Sequence, residues 1–388
     1  MTNGVSDWPR HACRLADDLV RAGKLTAPEW RAAVCAVPRH RLVPRYYRYT
    51  GGSWQVVDEL ATIYSNTVLI TAVAGTGIRS SATQPGLVTR MLESLDVHDG
   101  HRVLEIGTGT GYNAGLLCHR LGDQHVFSVD VEPDLVDLAR ERLAELGYHP
   151  TLVAGDGADG LPEHAPFDRI IATCAVPAVP WAWVEQTRVG GVVLTDLKTA
   201  VAAGSLVRLS RVGADLAEGH FDPTYAAFMD LRHQPAAGAG GRTARIRRDH
   251  DHARLHTTDL DPETPQRSLE VWFLATFELG RGMEHGYTGA GQNQPPTASW
   301  LTAPDGSWAE VTLAEQNGRY SVAEGGPRRL WAIVEDTHQR WIDLGRPTWE
   351  RFGLTVTRDR QTVWLDHPDA TNAWPLPGTG GPTATSQS

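Results

Sequence analysis

The chain reads as an α/β protein with a Rossmann-like, mostly parallel sheet, followed by a smaller, strand-rich α+β module. Three observations predict this. From Arg102 onward, short apolar runs ("RVLEI", "HVFSVD", "TLVAGD", "DRIIATC", "GGVVLTD") alternate with amphipathic helical patterns, the order that right-handed crossovers and a parallel sheet require. The first run leads into "GTGTG", which places Gly107, Gly109 and Gly111 between a strand and a helix. Beyond about Leu231 the alternation stops, and "HQPAAGAGGRTARIRRDHDHARLH" carries no apolar periodicity before a Trp-rich set of strand-like segments begins.

Taken in order, residues from about 9 to 37 show helical spacing of Leu15, Leu19, Val20, Trp30, Val34 and Val37, with "GKLTAPEW" as a break between two helices. "VPRHRLVPRYY" interrupts the pattern with two prolines. In "IRSSATQPGLVTRMLESL", the part from Pro85 is a core-facing helix on Leu87, Val88, Met91, Leu92 and Leu95. Upstream, Ser80, Ser81 and Thr83 could each cap that helix, but one cap needs only one hydroxyl. After the alternating region, "LEVWFLATFEL", "TASWLTAP", "WAEVTL", "RRLWAIVED" and "LTVTRDRQTVWLD" read as strands, with one helix around Glu335 to Phe352. The expected organisation is a helical, substrate-side segment at 1–80, a cofactor-binding domain at 81–230, a linker or long loop at 231–267, an accessory domain at 268–374 and a disordered tail at 375–388.

Composition narrows the function. A formal net charge of −10 supplies no basic field for a nucleic-acid backbone, so nucleic acid is excluded as a default partner. Four cysteines lie far apart without a C-x-x-C pair, which argues against zinc and disulfides and for reduced thiols in the cytoplasm. The N-terminal residues lack a signal-peptide core, and no run approaches the roughly 18 apolar residues of a membrane span. His250, His252 and His256 lie in a charged, linker-like stretch and read as solvated rather than as metal ligands, so no metal is expected. Cys174 reads as a small buried residue beside the cofactor, and most of the C-terminal tryptophans read as core.

The glycine loop carries more specific information. Glycines there let the backbone turn tightly against a ligand at a helix N-terminus. A dinucleotide fingerprint is G-x-G-x-x-G, whereas here the sixth position is Tyr112, and no P-loop base follows. Glu105 precedes the loop. Asp130 ends the next strand, about 20 residues on, where a carboxylate can accept from ribose hydroxyls. Asp156, at the end of the third strand, is placed to meet an adenine amino group.

With these residues, "VLEIGTGTGYNAGLL", the long block "GDGADGLPEHAPFDRIIATCAVPAVPWAWVEQTRVGGVVLTDL" and "AVPRHRLVP" resemble the protein-L-isoaspartate O-methyltransferase family over about residues 10–230. The resemblance implies a class I methyltransferase fold and S-adenosylmethionine as cofactor. It implies Glu105, Gly107, Gly109 and Asp130 around the methionine and ribose and Asp156 and Gly157 around the adenine, with Thr108, Asn113, Val131 and Thr173 completing the set. Two departures stand out. Repair enzymes of the family carry Gln-Thr-Ile-Ser before their proline, where this chain has Ser80-Ser81-Ala82-Thr83; and they generally stop near the end of the sheet, where this chain continues. Both resemble a divergent branch beside ribosomal-peptide pathways (graspetide, lanthipeptide or lasso). That likeness implies esterification of an Asp side chain in a ring-constrained precursor peptide, closure to an aspartimide, and a ring-forming enzyme as pathway partner. Isoaspartate repair, a non-catalytic peptide-binding scaffold and a nicotinamide oxidoreductase are the competing readings.

A carboxylate is already ionised near neutral pH, so its methylation needs no general base. It needs small hydrogen-bonding groups that position and desolvate the oxygen. Ser80, Ser81 and Thr83 are the expected catalytic floor.

Overall fold

The computed structural model describes residues 7–235, 248–289 and 295–377. The five runs read from sequence form the strands Val103–Ile106, Val126–Asp130, Thr151–Ala154, Phe167–Val176 and Thr187–Ala200. Each pairs in parallel with its sheet neighbour, Val103–Ile106 lying between Val126–Asp130 and Phe167–Val176. Helices Tyr112–Leu121 and Pro133–Glu145 make the crossovers, so the glycine loop and Asp130 both fall at the C-terminal edge of the parallel strands, where open α/β sheets bind ligands. This is the class I methyltransferase fold.

The sheet then continues antiparallel. Ala203–Gly213 and Leu216–Phe221 follow by hairpins, and Phe352–Val356, Gln361–Leu365 and Ala373–Pro375, from the far end of the chain, complete ten strands in one sheet. The sheet is therefore parallel in its first half and antiparallel in its second. Its two faces bury separate apolar clusters: one holds the N-terminal helices Trp8–Arg21 and Pro28–Ala36 with helix Pro85–Leu95, the other holds Trp183, Phe221, Phe273 and Trp349.

Two readings of the C-terminal region are corrected. "LEVWFLATFEL" is the helix Leu269–Leu279, and "RRLWAIVED" belongs to the helix Leu330–Asp343, which begins and ends earlier than expected. In Leu269–Leu279 seven of the eleven residues are buried and only Glu270 and Glu278 are charged, so the polar face is too narrow to reveal the helical period, and an apolar run with that composition cannot be told from a buried strand. "TASWLTAP", "WAEVTL" and "LTVTRDRQTVWLD" do supply strands, the last as a hairpin. A five-stranded antiparallel sheet (Arg254–Thr258, Tyr320–Gly325, Trp308–Thr312, Ala298–Thr302, Glu284–Thr288) packs against the two helices over Trp272 and Trp331. Its edge strand Arg254–Thr258 comes from the stretch read as linker. The tail expected to be disordered lies outside the described residues from 378, while Pro375 is in a strand and Leu376 is buried.

The N-terminal region holds an element the sequence did not reveal, a four-stranded antiparallel sheet of Tyr46–Thr50, Ser53–Val57, Leu69–Ala74 and Gly77–Ala82. Ser80 and Ser81 are therefore strand residues, not helix caps. The helix starting at Pro85 has Gln84 at its N-cap without a side-chain bond, and its Gly86 N–H is taken instead by Asn66 Oδ1 at 2.8 Å.

Trp183, fully buried, donates from Nε1 to the Gly157 carbonyl at 2.8 Å and so ties helix Trp181–Gln186 to the loop after the third strand. Trp183→Ala is expected to cost about 3–5 kcal/mol of unfolding free energy, measured by urea denaturation with an unchanged m-value.

Candidate active site

At the loop after Val103–Ile106 the backbone lies in the left-handed region at Gly107 (φ 98°) and Gly109 (φ 51°). A Cβ at Gly107 would lie 2.8 Å from Thr173 Oγ1, whose hydroxyl donates to the Gly107 carbonyl at 2.9 Å. The loop is thus clamped to the end of strand Phe167–Val176, and glycine is required both by conformation and by approach. Asp130 anchors the other side: Oδ2 accepts the Gly109 N–H at 2.9 Å and Oδ1 accepts the Glu132 N–H at 3.0 Å. Each carboxylate oxygen keeps a lone pair for a further donor. Desolvation pushes the Asp130 pKa up, against those two N–H bonds.

The cavity between these elements is lined by Gly107, Gly109, Asp130, Val131, Gly157 and Thr173, with Cys174 among its walls. Apolar faces from Ile106, Val129, Leu135 and Leu231 suit a purine, and the anchored Asp130 suits a ribose, so the residues fit S-adenosylmethionine. Cys174 is buried and its thiol pKa is driven up by desolvation, which keeps it protonated and unreactive.

Other expected cofactor residues sit one layer back. Glu105 is buried and accepts from Asn113 Nδ2 at 2.8 Å and from Ser128 Oγ at 2.6 Å. Thr108 Oγ1 shares a 2.6 Å bond with Ser128. Burial raises the Glu105 pKa to about 7 despite these donors. Glu105, Thr108 and Asn113 border a narrower recess that shares Gly107 and Gly109 with the first cavity. Asp156 borders neither: Oδ1 accepts the Ala158 N–H at 2.8 Å and Oδ2 faces His233 Nδ1 at 2.9 Å.

A third cavity, of about 540 Å³ and open to solvent, adjoins these two. Ser81, Thr83 and Thr173 line all three. No hydrogen bond among the described residues uses the Ser81 or Thr83 hydroxyl, both half-buried, so two donors point into the junction unspent. Ser80 differs: it is buried, accepts from Thr71 Oγ1 at 3.2 Å, and borders only the first cavity.

Sequence reasoning missed three contributions. Arg39, wholly buried, donates from Nη2 to the Thr83 carbonyl at 3.3 Å and lies 4.7 Å over the Tyr112 ring, fixing the floor from behind. Arg79 reaches Glu132 at 2.6 Å and Asp134 at 2.7 Å, and Arg232 also pairs with Glu132, so two cations brace the wall beside Asp130. The segment from Asp222 to His233 borders both the first cavity and the 540 Å³ cleft. Its Leu231 N–H and Met229 carbonyl pair with Ala175, and its Phe228 N–H is held by Asp196 Oδ2 at 2.9 Å. Asp196 had a signal, as the lone acid in the apolar run "GGVVLTD"; the others carried none.

A glycine loop with Asp130 at the strand ends of a class I fold defines an S-adenosylmethionine-dependent methyltransferase. A family model described as "Protein-L-isoaspartate(D-aspartate) O-methyltransferase (PCMT)" matches residues 12–215, and the chain belongs to that family. It is 36% identical over 186 residues to the protein-L-isoaspartate O-methyltransferase of Ignicoccus hospitalis, covering 47% of this chain and 80% of the relative. It is 33% identical over 204 residues to that of Methanothermobacter thermautotrophicus, covering 52% and 86%. A solved protein-L-isoaspartate O-methyltransferase, 19% identical, superposes with a TM-score of 0.53 over 91% of this chain and 99% of its own. That superposition runs well past residue 230, so length beyond the family region does not set this chain's fold apart from a solved member.

Two outcomes are expected. Asp130→Ala should weaken S-adenosylhomocysteine binding about ten-fold or more by calorimetry, since the Gly109 and Glu132 N–H groups lose their acceptor. Asp196 is the second group: its pKa is raised to about 7 by burial. The folded chain therefore holds a proton the unfolded chain has released between the ordinary aspartate range and about pH 7, and this contribution to stability is lost as pH rises through that window. Asp196→Asn, which mimics the protonated acid, should flatten that part of the unfolding free energy against pH; an unchanged slope would count against the assignment.

Proposed function

We propose that the chain methylates an aspartyl side-chain carboxylate in a ring-constrained peptide of ribosomal origin, and that the ester closes to an aspartimide. The observation that carries this reading is the unspent Ser81 and Thr83 hydroxyls at the mouth of an open cleft.

S-adenosylmethionine, when bound, supplies the electrophilic methyl. The residues of the chain do the rest. Gly107, Gly109 and Asp130 hold the donor, with Thr173 fixing the loop; Ser81 and Thr83 donate to the carboxylate oxygen that does not attack, turning its partner toward the methyl. Met229 borders both the donor cavity and the cleft, at their junction. The new O–C bond forms as the S–C bond breaks, and the carboxylate becomes a neutral ester. The next residue's amide nitrogen then attacks the ester carbonyl, its proton leaves with methoxide as methanol, and a five-membered imide remains. A pathway enzyme that forms the rings is the partner this reading requires.

Repair of isoaspartyl proteins is the second reading, favoured by the relatives' names. Intact mass spectrometry separates the two. A constrained Asp peptide should gain a methyl and then lose methanol, for a net loss of water; methylation of linear isoaspartyl peptides alone would sink the first reading. In the same assay Thr83→Ala together with Ser81→Ala should lower kcat by about 10²-fold, with cofactor affinity preserved.

A further inference from the structure

We infer that the acceptor cleft selects a peptide bearing a second carboxylate beside the residue that is methylated, and that Lys24 is the chief determinant of this preference. The inference rests on the carboxyl-methylation reading of the site but not on which kind of aspartyl residue reacts.

The chain has 46 acidic against 36 basic residues, yet the lining of the 540 Å³ cleft contains Lys24 and Arg90 and no Asp or Glu. No carboxylate among the described residues lies within ion-pair distance of Lys24, whose place is held through its backbone: the Lys24 carbonyl accepts from Thr89 Oγ1 at 2.8 Å. Arg90, in the same helix as Thr89, is partly offset. It donates from Nη2 to the Thr224 carbonyl at 3.0 Å, and its Nε is 3.8 Å from Asp222 without a hydrogen bond.

Neither cation is aimed at the reacting group. Both border the acceptor cleft alone, whereas the hydroxyls of Ser81 and Thr83 border the donor cavity as well. Chemistry gives the same division. Methyl transfer neutralises the carboxylate, so a cation against it would hold the reactant more tightly than the transition state and slow the step. A carboxylate that stays charged throughout is the ligand a cation serves without that penalty, and the one that steers an acidic peptide to an otherwise acidic protein.

The test uses four fluorescein-labelled peptides: Asp or isoaspartate at the centre, flanked by either Glu or Gln. Binding to the full chain saturated with S-adenosylhomocysteine is followed by fluorescence anisotropy at low and high salt. The Glu-flanked peptide of each pair should bind about five-fold tighter at low salt, with the advantage shrinking as salt rises. Lys24→Gln should reduce that ratio and Lys24→Glu should abolish or invert it, with calorimetric binding of S-adenosylhomocysteine showing that each variant is folded. Equal affinity within both pairs, or a ratio indifferent to Lys24→Glu, overturns the inference. Because the readout is binding, a Glu preference without aspartimide formation would leave this inference standing and remove only the ring-constrained Asp reading.

Discussion

The site depends on a backbone approach that only glycine allows. Thr173 holds the Gly107 carbonyl while Asp130 holds the Gly109 N–H, so the loop is suspended between the ends of the two strands that flank Val103–Ile106. Those strands are fixed by buried apolar side chains on both faces of the sheet. The loop's position is therefore an outcome of core packing, and a cofactor meets a groove whose shape is set before it arrives. Glu105, Asn113 and Ser128 support the same loop from below, Glu105 accepting from both Asn113 Nδ2 and Ser128 Oγ.

The acceptor side is held differently. Ser81 and Thr83 come from the end of a small antiparallel sheet, and the Thr83 carbonyl is tied back by a buried guanidinium. An arginine in that position has a desolvation cost, visible in its lowered pKa, which the Tyr112 ring and one carbonyl only partly offset. The geometry around the glycine loop is thus set by glycine and aspartate on the main sheet, and that of the cleft floor by a separate element docked over it.

The sequence made the parallel half of the fold legible because its strands are short apolar runs bounded by turn residues, and because Gly107, Gly109 and Asp130 fall at defined strand ends. Of the site, Ser81, Thr83 and the glycine loop were legible as residue types without ordinary structural duties. Ser80 was not separable from its neighbour, since only the alternation of a strand sends one inward to Thr71 and leaves the other at the cleft. That strand was hidden because "GIRSSA" is too polar to read as one. Leu269–Leu279 was hidden for the opposite reason, being apolar over most of its surface. Arg39, Arg79 and Arg232 act through partners far away in sequence, and nothing in their own neighbourhoods announces those partners.

The antiparallel half of the sheet carries a consequence for how the chain comes to be made. Strand Leu216–Phe221 takes its outer partner from Phe352–Val356, with Ala217 opposite Val356. During synthesis the parallel half and the glycine loop can form while that edge still offers unpaired N–H and C=O groups. The edge closes only after the five-stranded sheet and both C-terminal helices have emerged, a pairing of high sequence separation and slow closure. Until Phe352–Val356 emerges, that edge lacks its native partner, the condition in which strand-to-strand aggregation competes with folding.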